Sequence, residues 1–224
     1  MKIVPALNRF DKMLWLGSII LLILCYVCSP EKNPLTLAAT LIGATSLIFL
    51  AKGHVTGQFL TIVFSLLYGI ISFQFRYYGE MITYLGMTAP SALFAAISWL
   101  RHPYQDKAEV QVAAMSRMKW AVLLGAATGI TVLFYFLLDF FHTANLVMST
   151  VSVFTSFLAS GLMFLRSPFY AVAYSGNDIV LIILWVLASL ENPGYIPMIL
   201  CFVIFFVNDI YGFVSWRRMQ RRQA

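Results

Sequence analysis

Two Asn-Asp pairs stand inside apolar stretches of this chain: Asn177 and Asp178 near the middle of Phe169 to Trp185, and Asn208 and Asp209 in the stretch that follows. An ionised carboxylate at the centre of a membrane-spanning helix costs about 2.5 to 3.5 kcal/mol on insertion scales, so such a group faces a cavity, a partner or a substrate path. A helical rotation of about 100° per residue places Tyr170, Tyr174, Asn177, Asp178, Leu181 and Trp185 in one sector. Aromatic faces and a carboxylate on one wall suit a cation, and the amide suits hydroxyl groups; this is the chemistry of binding, not of bond cleavage. For Tyr170 the interfacial aromatic belt is the other reading. Asn208, Asp209, Gly212 and Trp216 share a face of the next helix, where Asp209 either joins the site or pairs with an arginine of the basic tail.

Upstream, Gln58, Thr61, Ser65, Tyr68, Gly69 and Ser72 line one face of an apolar helix, and Glu80, Tyr84, Met87 and Ser91 line another. Pro90 frees a backbone carbonyl near Gly86 and should bend its helix, which transporters tolerate where a cavity lies alongside. Gly125 and Gly129 form a G-x-x-x-G, and Ser149, Ser152, Ser156 and Ser160 form a small-residue face; both read as close helix packing. The candidate substrate-binding residues are therefore Gln58, Tyr68, Tyr84, Tyr174, Asn177, Asp178, Trp185, Asn208 and Asp209.

Several chemistries are absent. There is no Walker loop, no H-E-x-x-H and no G-x-S-x-G, and SGND at 175–178 is not the G-x-G-D of intramembrane aspartyl proteases. His54, His102 and His142 are too dispersed for a metal site, so neither enzyme activity nor a cofactor or metal is expected. Cys25 and Cys28 form a C-x-x-C without acidic or histidine neighbours, and with Cys201 they read as packing residues.

The elements that must position these residues are spans of a membrane. The chain is 61% hydrophobic and 11% charged, with a mean hydropathy of +0.84. Eight helices are expected, at about 13 to 29, 35 to 51, 55 to 74, 79 to 99, 120 to 140, 145 to 165, 168 to 188 and 194 to 215, the first retained and not cleaved as a signal. Pro30 to Pro34 make a turn after the first. With both termini cytoplasmic, every Lys and Arg falls inside except Lys32 and Arg76, including Lys2, Arg9, Lys12, Lys52, Arg101, Lys107, Arg117, Lys119, Arg166 and the tail arginines. The net charge of +6 thus reads as topology in a cell inner (plasma) membrane and not as a nucleic-acid surface.

An internal repeat is visible. LIFLAK ending at Lys52 lies on LMFLR ending at Arg166, YYGEM at 77–81 on GYIPM at 194–198, and AAISWLR at 95–101 on GFVSWRR at 212–218. The copies run in the same direction, so the fifth helix is the linker between them. The expected architecture is all-α: residues 1–30 a tail and extra helix, 31–100 a first three-helix bundle, 101–143 a cytoplasmic loop and linker helix, and 144–224 a second bundle with a basic tail.

Residues 66–99, LLYGIISFQFRYYGEMITYLGMTAPSALFAAISW, and 176–220, from GNDIVLIILW to VNDIYGFVSWRRMQ, resemble the PnuC family of vitamin-precursor transporters, best known for nicotinamide riboside. The resemblance implies two parallel three-helix bundles joined by one helix, an arrangement similar to the SWEET sugar transporters, assembled as a homotrimer among membrane lipid. It also implies facilitated diffusion of nicotinamide riboside with trapping by an intracellular kinase, and the absence of an ion cage agrees with uncoupled flux. Better-known members carry W-x-x-W at the start of the seventh helix; Ala171 and Tyr174 stand there, Asp178 takes the following amide or acid position, and Ala92 replaces a Gln. Thiamine, riboflavin or a deoxynucleoside are the alternative cargoes, and a membrane receptor or assembly factor without flux is the alternative class.

Overall fold

The computed structural model describes residues 7–29, 32–74, 77–105, 108–143, 145–191, 194 and 196–224. Lys2, Pro30, Arg76, Lys107 and Tyr195, which enter the expectations above, lie outside the described residues. Within the described residues eight helices are long and apolar enough to span a membrane: α1 (Arg9–Cys28), α2 (Pro34–Ala51), α3 (Thr56–Gln74), α4 (Tyr78–Arg101), α5 (Arg117–Phe140), α6 (Leu146–Phe164), α7 (Tyr170–Glu191) and α8 (Ile196–Gln223).

Polar side chains at the helix starts explain several boundaries. Asn8 caps α1 by accepting from Asp11 N at 2.8 Å, while Asp11 Oδ2 accepts from Asn8 N at 2.6 Å, a reciprocal capping box. Asn33 caps α2 with Pro34 in the first helical position, so Pro34 opens this helix, whereas the sequence reading left it in the preceding turn. Ser116 accepts from Lys119 N and starts α5 at Arg117, three residues before the expected 120. In α4 the expected bend before Pro90 takes the form of a π-helical turn at Tyr84–Thr88, in which Ala89 N donates to Tyr84 O. Such wide turns relieve the clash of a proline ring with the carbonyl four residues back, and here the turn faces Tyr84 and Thr88 into the protein.

α8 is longer than expected and stays helical through the basic tail. Its last turn is stitched to the 101–116 connection: Arg222 pairs with Glu109, Gln223 Nε2 donates to Glu109 Oε1 at 2.7 Å, and Val112 N donates to Gln223 Oε1 at 2.8 Å. Isolated antiparallel bridges, His54 to Glu109 and Pro103 to Val110, extend this seam.

α2 packs on α3, α3 on α4, α6 on α7 and α7 on α8, while α2 also meets α8 and α4 meets α6. α1 rests on α2 and α8, and α5 on α6. Two dense layers result. One is built from Phe64, Tyr68, Tyr77, Tyr84, Trp185, Phe202 and Phe205, the other from Leu50, Trp99, Tyr170 and Trp216. Gly43 permits the α2–α8 approach, because a Cβ there would stand 2.4 Å from Phe205 Cζ.

The second layer has a reciprocal construction. Trp216 Nε1 donates to Leu50 O at 2.8 Å, Trp99 Nε1 donates to Met163 O at 3.1 Å, and the two indoles meet at 5.4 Å. The carbonyls they reach end α2 and α6 in matching turns: His54 N bonds Phe49 O and Ser167 N bonds Leu162 O, with Gly53 (φ 62°) and Arg166 (φ 59°) both left-handed. Trp99 and Trp216 are the residues aligned in the sequence, but the turns set Gly53 opposite Arg166, one residue from the expected Lys52.

A Cβ at Gly125 or Gly129 would meet nothing within 4 Å, so among the described residues the G-x-x-x-G of α5 packs against no helix of the same chain. The serine face of α6 does pack, with Ser149, Ser152, Ser156 and Ser160 all buried against the core.

Candidate functional site

Between the two layers lies a cavity of about 60 Å³. Six helices line it: Ser46, Leu47 and Leu50 from α2; Gln58, Thr61 and Phe64 from α3; Tyr84 and Thr88 from α4; Ser156 and Met163 from α6; Tyr174, Asn177 and Asp178 from α7; Phe202, Phe205 and Asp209 from α8. Neither α1 nor α5 contributes. Sites for drug-sized ligands run to about 300–1,000 Å³, so a nucleoside is admitted only when these walls separate.

Six of the nine candidate residues meet here: Gln58, Tyr84, Tyr174, Asn177, Asp178 and Asp209. Their polar groups differ in availability. Asn177 Oδ1 accepts from Thr155 at 2.8 Å, Ser156 at 2.9 Å and Ser152 at 3.4 Å, so its carbonyl is spent on tying α7 to α6. Tyr174 Oη shares a hydrogen with Ser160 Oγ at 3.1 Å. By contrast, Gln58 Nε2 and Asp178 Oδ2 are buried on the cavity with no hydrogen-bond partner. A buried polar group left unpaired costs about 1–3 kcal/mol, which a ligand hydroxyl or cation can recover.

Asp178 and Asp209, from neighbouring helices, are both buried and line the same cavity. The alternative of an ion pair between Asp209 and a tail arginine does not hold among the described residues. The acid that meets a base near the helix ends is Asp11, fully buried, with Lys52 Nζ at 2.6 Å and Tyr211 Oη donating to its other oxygen. Asp11 lies in the first turn of α1, within the 1–30 stretch expected to hold a tail and an extra helix.

Tyr68 and Trp185 stand one layer away from the cavity wall. Trp185 Nε1 donates to Tyr68 Oη at 2.9 Å, Tyr68 stacks on the cavity residue Tyr84 at 4.2 Å, and Tyr77 packs on Trp185 at 5.1 Å. Glu80, one turn before Tyr84, is buried in the same layer with Oε2 unpaired. Asn208 faces away: its Nδ2 donates to Ser18 Oγ of α1 at 3.2 Å and to Ile204 O at 2.8 Å. The assignment of Asn208 to the site wall is therefore corrected to a tie between α8 and α1. Neighbours in sequence are about 100° apart on a helix, so Asn208 and Asp209 divide between two partners.

Ser46, Thr61, Thr88 and Ser156 were not singled out as site residues, although Thr61 and Ser156 lie on polar helical faces. Nothing local marks Ser46 among the four hydroxyl residues of α2, the others being Thr36, Thr40 and Thr45, and Thr88 reaches the cavity through the π turn.

The profile of the family described as Nicotinamide mononucleotide transporter matches residues 33–218. The chain is 25% identical over 204 residues to the nicotinamide riboside transporter PnuC of Neisseria mucosa, covering 89% of this chain and 77% of that one. It is 24% identical over 214 residues to the PnuC of Haemophilus influenzae, covering 94% and 91%. A solved structure titled as a crystal structure of the vitamin B3 transporter PnuC superposes with a TM-score of 0.85 at 24% identity, covering 98% of this chain and 95% of that one, and shares the fold. With helices, cavity and family profile coinciding over most of its length, the chain belongs to the PnuC family of membrane transporters.

Proposed function

We propose that this protein carries nicotinamide riboside across the cell inner membrane by alternating access, and that an intracellular kinase traps the product. The observation that carries the choice of substrate is the charge of the cavity: its wall holds two carboxyl groups, Asp178 and Asp209, and no Lys, Arg or His. The pyridinium ring of the riboside bears a fixed positive charge, which carboxylates and the faces of Tyr84, Tyr174, Phe64 and Phe205 attract. A mononucleotide adds a phosphate of about −1.5 to −2 charges. Like charges at about 4 Å repel by about 4 kcal/mol at an effective dielectric of about 20, and no base is at hand to compensate. Riboflavin and deoxynucleosides lack the positive charge, so thiamine, a cation without phosphate, is the second reading. Ribose hydroxyls suit Gln58 and Thr61, while Asn208 is left to packing.

In this reading α2–α4 and α6–α8 are the two parallel bundles, α5 links them, and they rock about the Trp99–Trp216 contact. The layer of Tyr68, Tyr77 and Trp185 closes one mouth, and the Trp99, Tyr170 and Trp216 layer closes the other. Both termini face the cytoplasm, a placement supported by Arg9, Lys52, Arg101, Arg117, Arg166 and Arg218 lying at the helix ends that gather on one side. The protein assembles as a homotrimer within the lipid; the bare G-x-x-x-G face of α5, flanked by exposed Met118, Val122, Val132 and Phe136, supports this.

The test is uptake of labelled nicotinamide riboside by proteoliposomes. Saturable uptake, competed by unlabelled riboside but not by the mononucleotide, is expected, and Asp178→Asn should lower it at least tenfold. Undiminished uptake by the variant, or equal competition by the mononucleotide, rejects the electrostatic basis of the assignment. Stronger competition by thiamine reassigns the cargo.

A further inference from the structure

We infer that α1 and α8 hold an anionic phospholipid between them, its phosphate in a basic pocket at the helix ends and an acyl chain in the groove that continues from it. The pocket, of about 400 Å³, is walled by α8, the end of α2 and the 101–116 connection. It gathers Lys52, Arg218 and Arg222 around the carboxylate of Glu109, with His54 and Ser215 beside them. Two of these cations are already matched, Lys52 by Asp11 at 2.6 Å and Arg222 by Glu109. Arg218 has no hydrogen-bond or ion-pair partner among the described residues, so it is the unmatched positive charge of the pocket.

Asn8, Tyr211 and Arg218 belong both to this pocket and to a groove of about 530 Å³ between α1 and α8. Phe10 and Leu14 of α1 and Val207, Ile210 and Val214 of α8 make the groove apolar. Val207, Ile210, Val214 and Arg218 follow at three- and four-residue spacing, so α8 carries an apolar stripe that ends in a guanidinium. Phe10 is 51% exposed and Val207 and Ile210 are each 48% exposed, so the described residues of the chain leave the stripe open.

Length and charge decide what fills it. The helical step from Val207 to Arg218 rises about 16 Å, close to one leaflet of a hydrocarbon core about 30 Å thick. The lining stops at Leu14 and Val207, beside the hydrogen bond of 3.2 Å from Asn208 Nδ2 to Ser18 Oγ that draws α1 and α8 together. An acyl chain enters from the surface and ends after one leaflet, whereas a spanning helix of a second copy continues across both. Basic pockets between membrane helices take anionic headgroups, and a phosphate beside Arg218 meets the charge that the protein leaves unmatched. Such a headgroup sits among α2, α8 and the 101–116 connection, so a bound lipid adds a tie between the two halves of the chain.

The test uses the full-length protein in detergent, titrated with phosphatidylglycerol, with phosphatidylcholine, or with glycerol phosphate, which lacks acyl chains. Native mass spectrometry counts retained lipid, and circular dichroism follows the unfolding midpoint. Phosphatidylglycerol should be retained about tenfold more tightly than phosphatidylcholine and should raise the midpoint, while glycerol phosphate at the same concentration should not. Equal retention of the two lipids, or an equal shift from glycerol phosphate, overturns the proposal. Arg218→Gln should weaken retention about fivefold and Val214→Trp should fill the groove and weaken it too, whereas Arg221→Gln, outside both pockets, should keep wild-type retention. Equal losses from the two arginine variants mean diffuse attraction to the basic tail and overturn the site. Loss of the oligomer in Val214→Trp with lipid retention unchanged assigns the groove to a second copy and overturns it as well. The comparison of lipids on the wild-type protein decides the matter if a variant fails to fold.

Discussion

Replacing Trp216 by Phe tests the reciprocal layer that joins the two halves of the chain. The change removes the Nε1–H donated to Leu50 O at 2.8 Å. That carbonyl keeps the Gly53 N–H, also at 2.8 Å, so it is not orphaned, and the lost bond costs about 1 kcal/mol. The smaller ring also gives up part of its contact with Tyr170 at 4.9 Å and Trp99 at 5.4 Å; aromatic pairs contribute about 0.5–1.5 kcal/mol each. The sum is about 2 to 3 kcal/mol. For a chain of this size each kcal/mol shifts the midpoint by roughly 2–4 °C, so the midpoint of thermal unfolding in detergent, followed by far-UV circular dichroism, should fall by about 4–12 °C. Trp99→Phe loses the bond to Met163 O, which keeps the Arg166 N–H, and should cost about the same. Because the two indoles touch, the double variant should be less destabilised than the sum by at least about 0.5 kcal/mol. Single shifts under about 1 °C, or strict additivity, refute the view that these residues act as one contact.

Gly125→Leu places a side chain where nothing of the same chain lies within 4 Å, so the protomer should fold normally while light scattering after size exclusion shows loss of the trimer; an intact trimer rules out the α5 face as the contact. Gly43→Ala forces a Cβ to within 2.4 Å of Phe205 Cζ and should cost about 1–3 kcal/mol and slow uptake, since Phe205 lines the cavity; a variant with wild-type midpoint and rate contradicts this. Asp11→Asn removes the charge that meets Lys52 at 2.6 Å and should lower the unfolding midpoint by several degrees, whereas Arg222→Ala, whose side chain is 62% exposed, should change it by less than about 1 °C. Equal effects of these two substitutions would contradict the burial argument.

The eight helices were legible because apolar length is a local property: about 20 residues must cross the hydrocarbon core, and each helix satisfies its own backbone. Helical periodicity likewise placed Asp178, Tyr174 and Asn177 on one wall, and Gln58 and Tyr84 on two others. What a side chain touches is a different matter, since it depends on which helix arrives at that face. Asn177 looked free for a ligand until Thr155 and Ser156 of α6 saturated its carbonyl, and Asn208 was assigned to the site until α1 claimed its amide. The G-x-x-x-G of α5 is the reverse case, a packing motif with no partner among the described residues of its own chain.

The sequence by itself determined that this is a membrane protein of eight spans with acids held among aromatic residues, because hydropathy, charge placement and helical period are all written along the chain. The tertiary structure alone decided that Asp178 and Asp209 line one cavity, that Trp99 and Trp216 exchange bonds across the two halves, and that Asp11 pairs with a base where Asp209 does not. Each of these contacts joins residues from different helices, and no periodicity within one helix specifies the rotation and depth at which another helix docks against it.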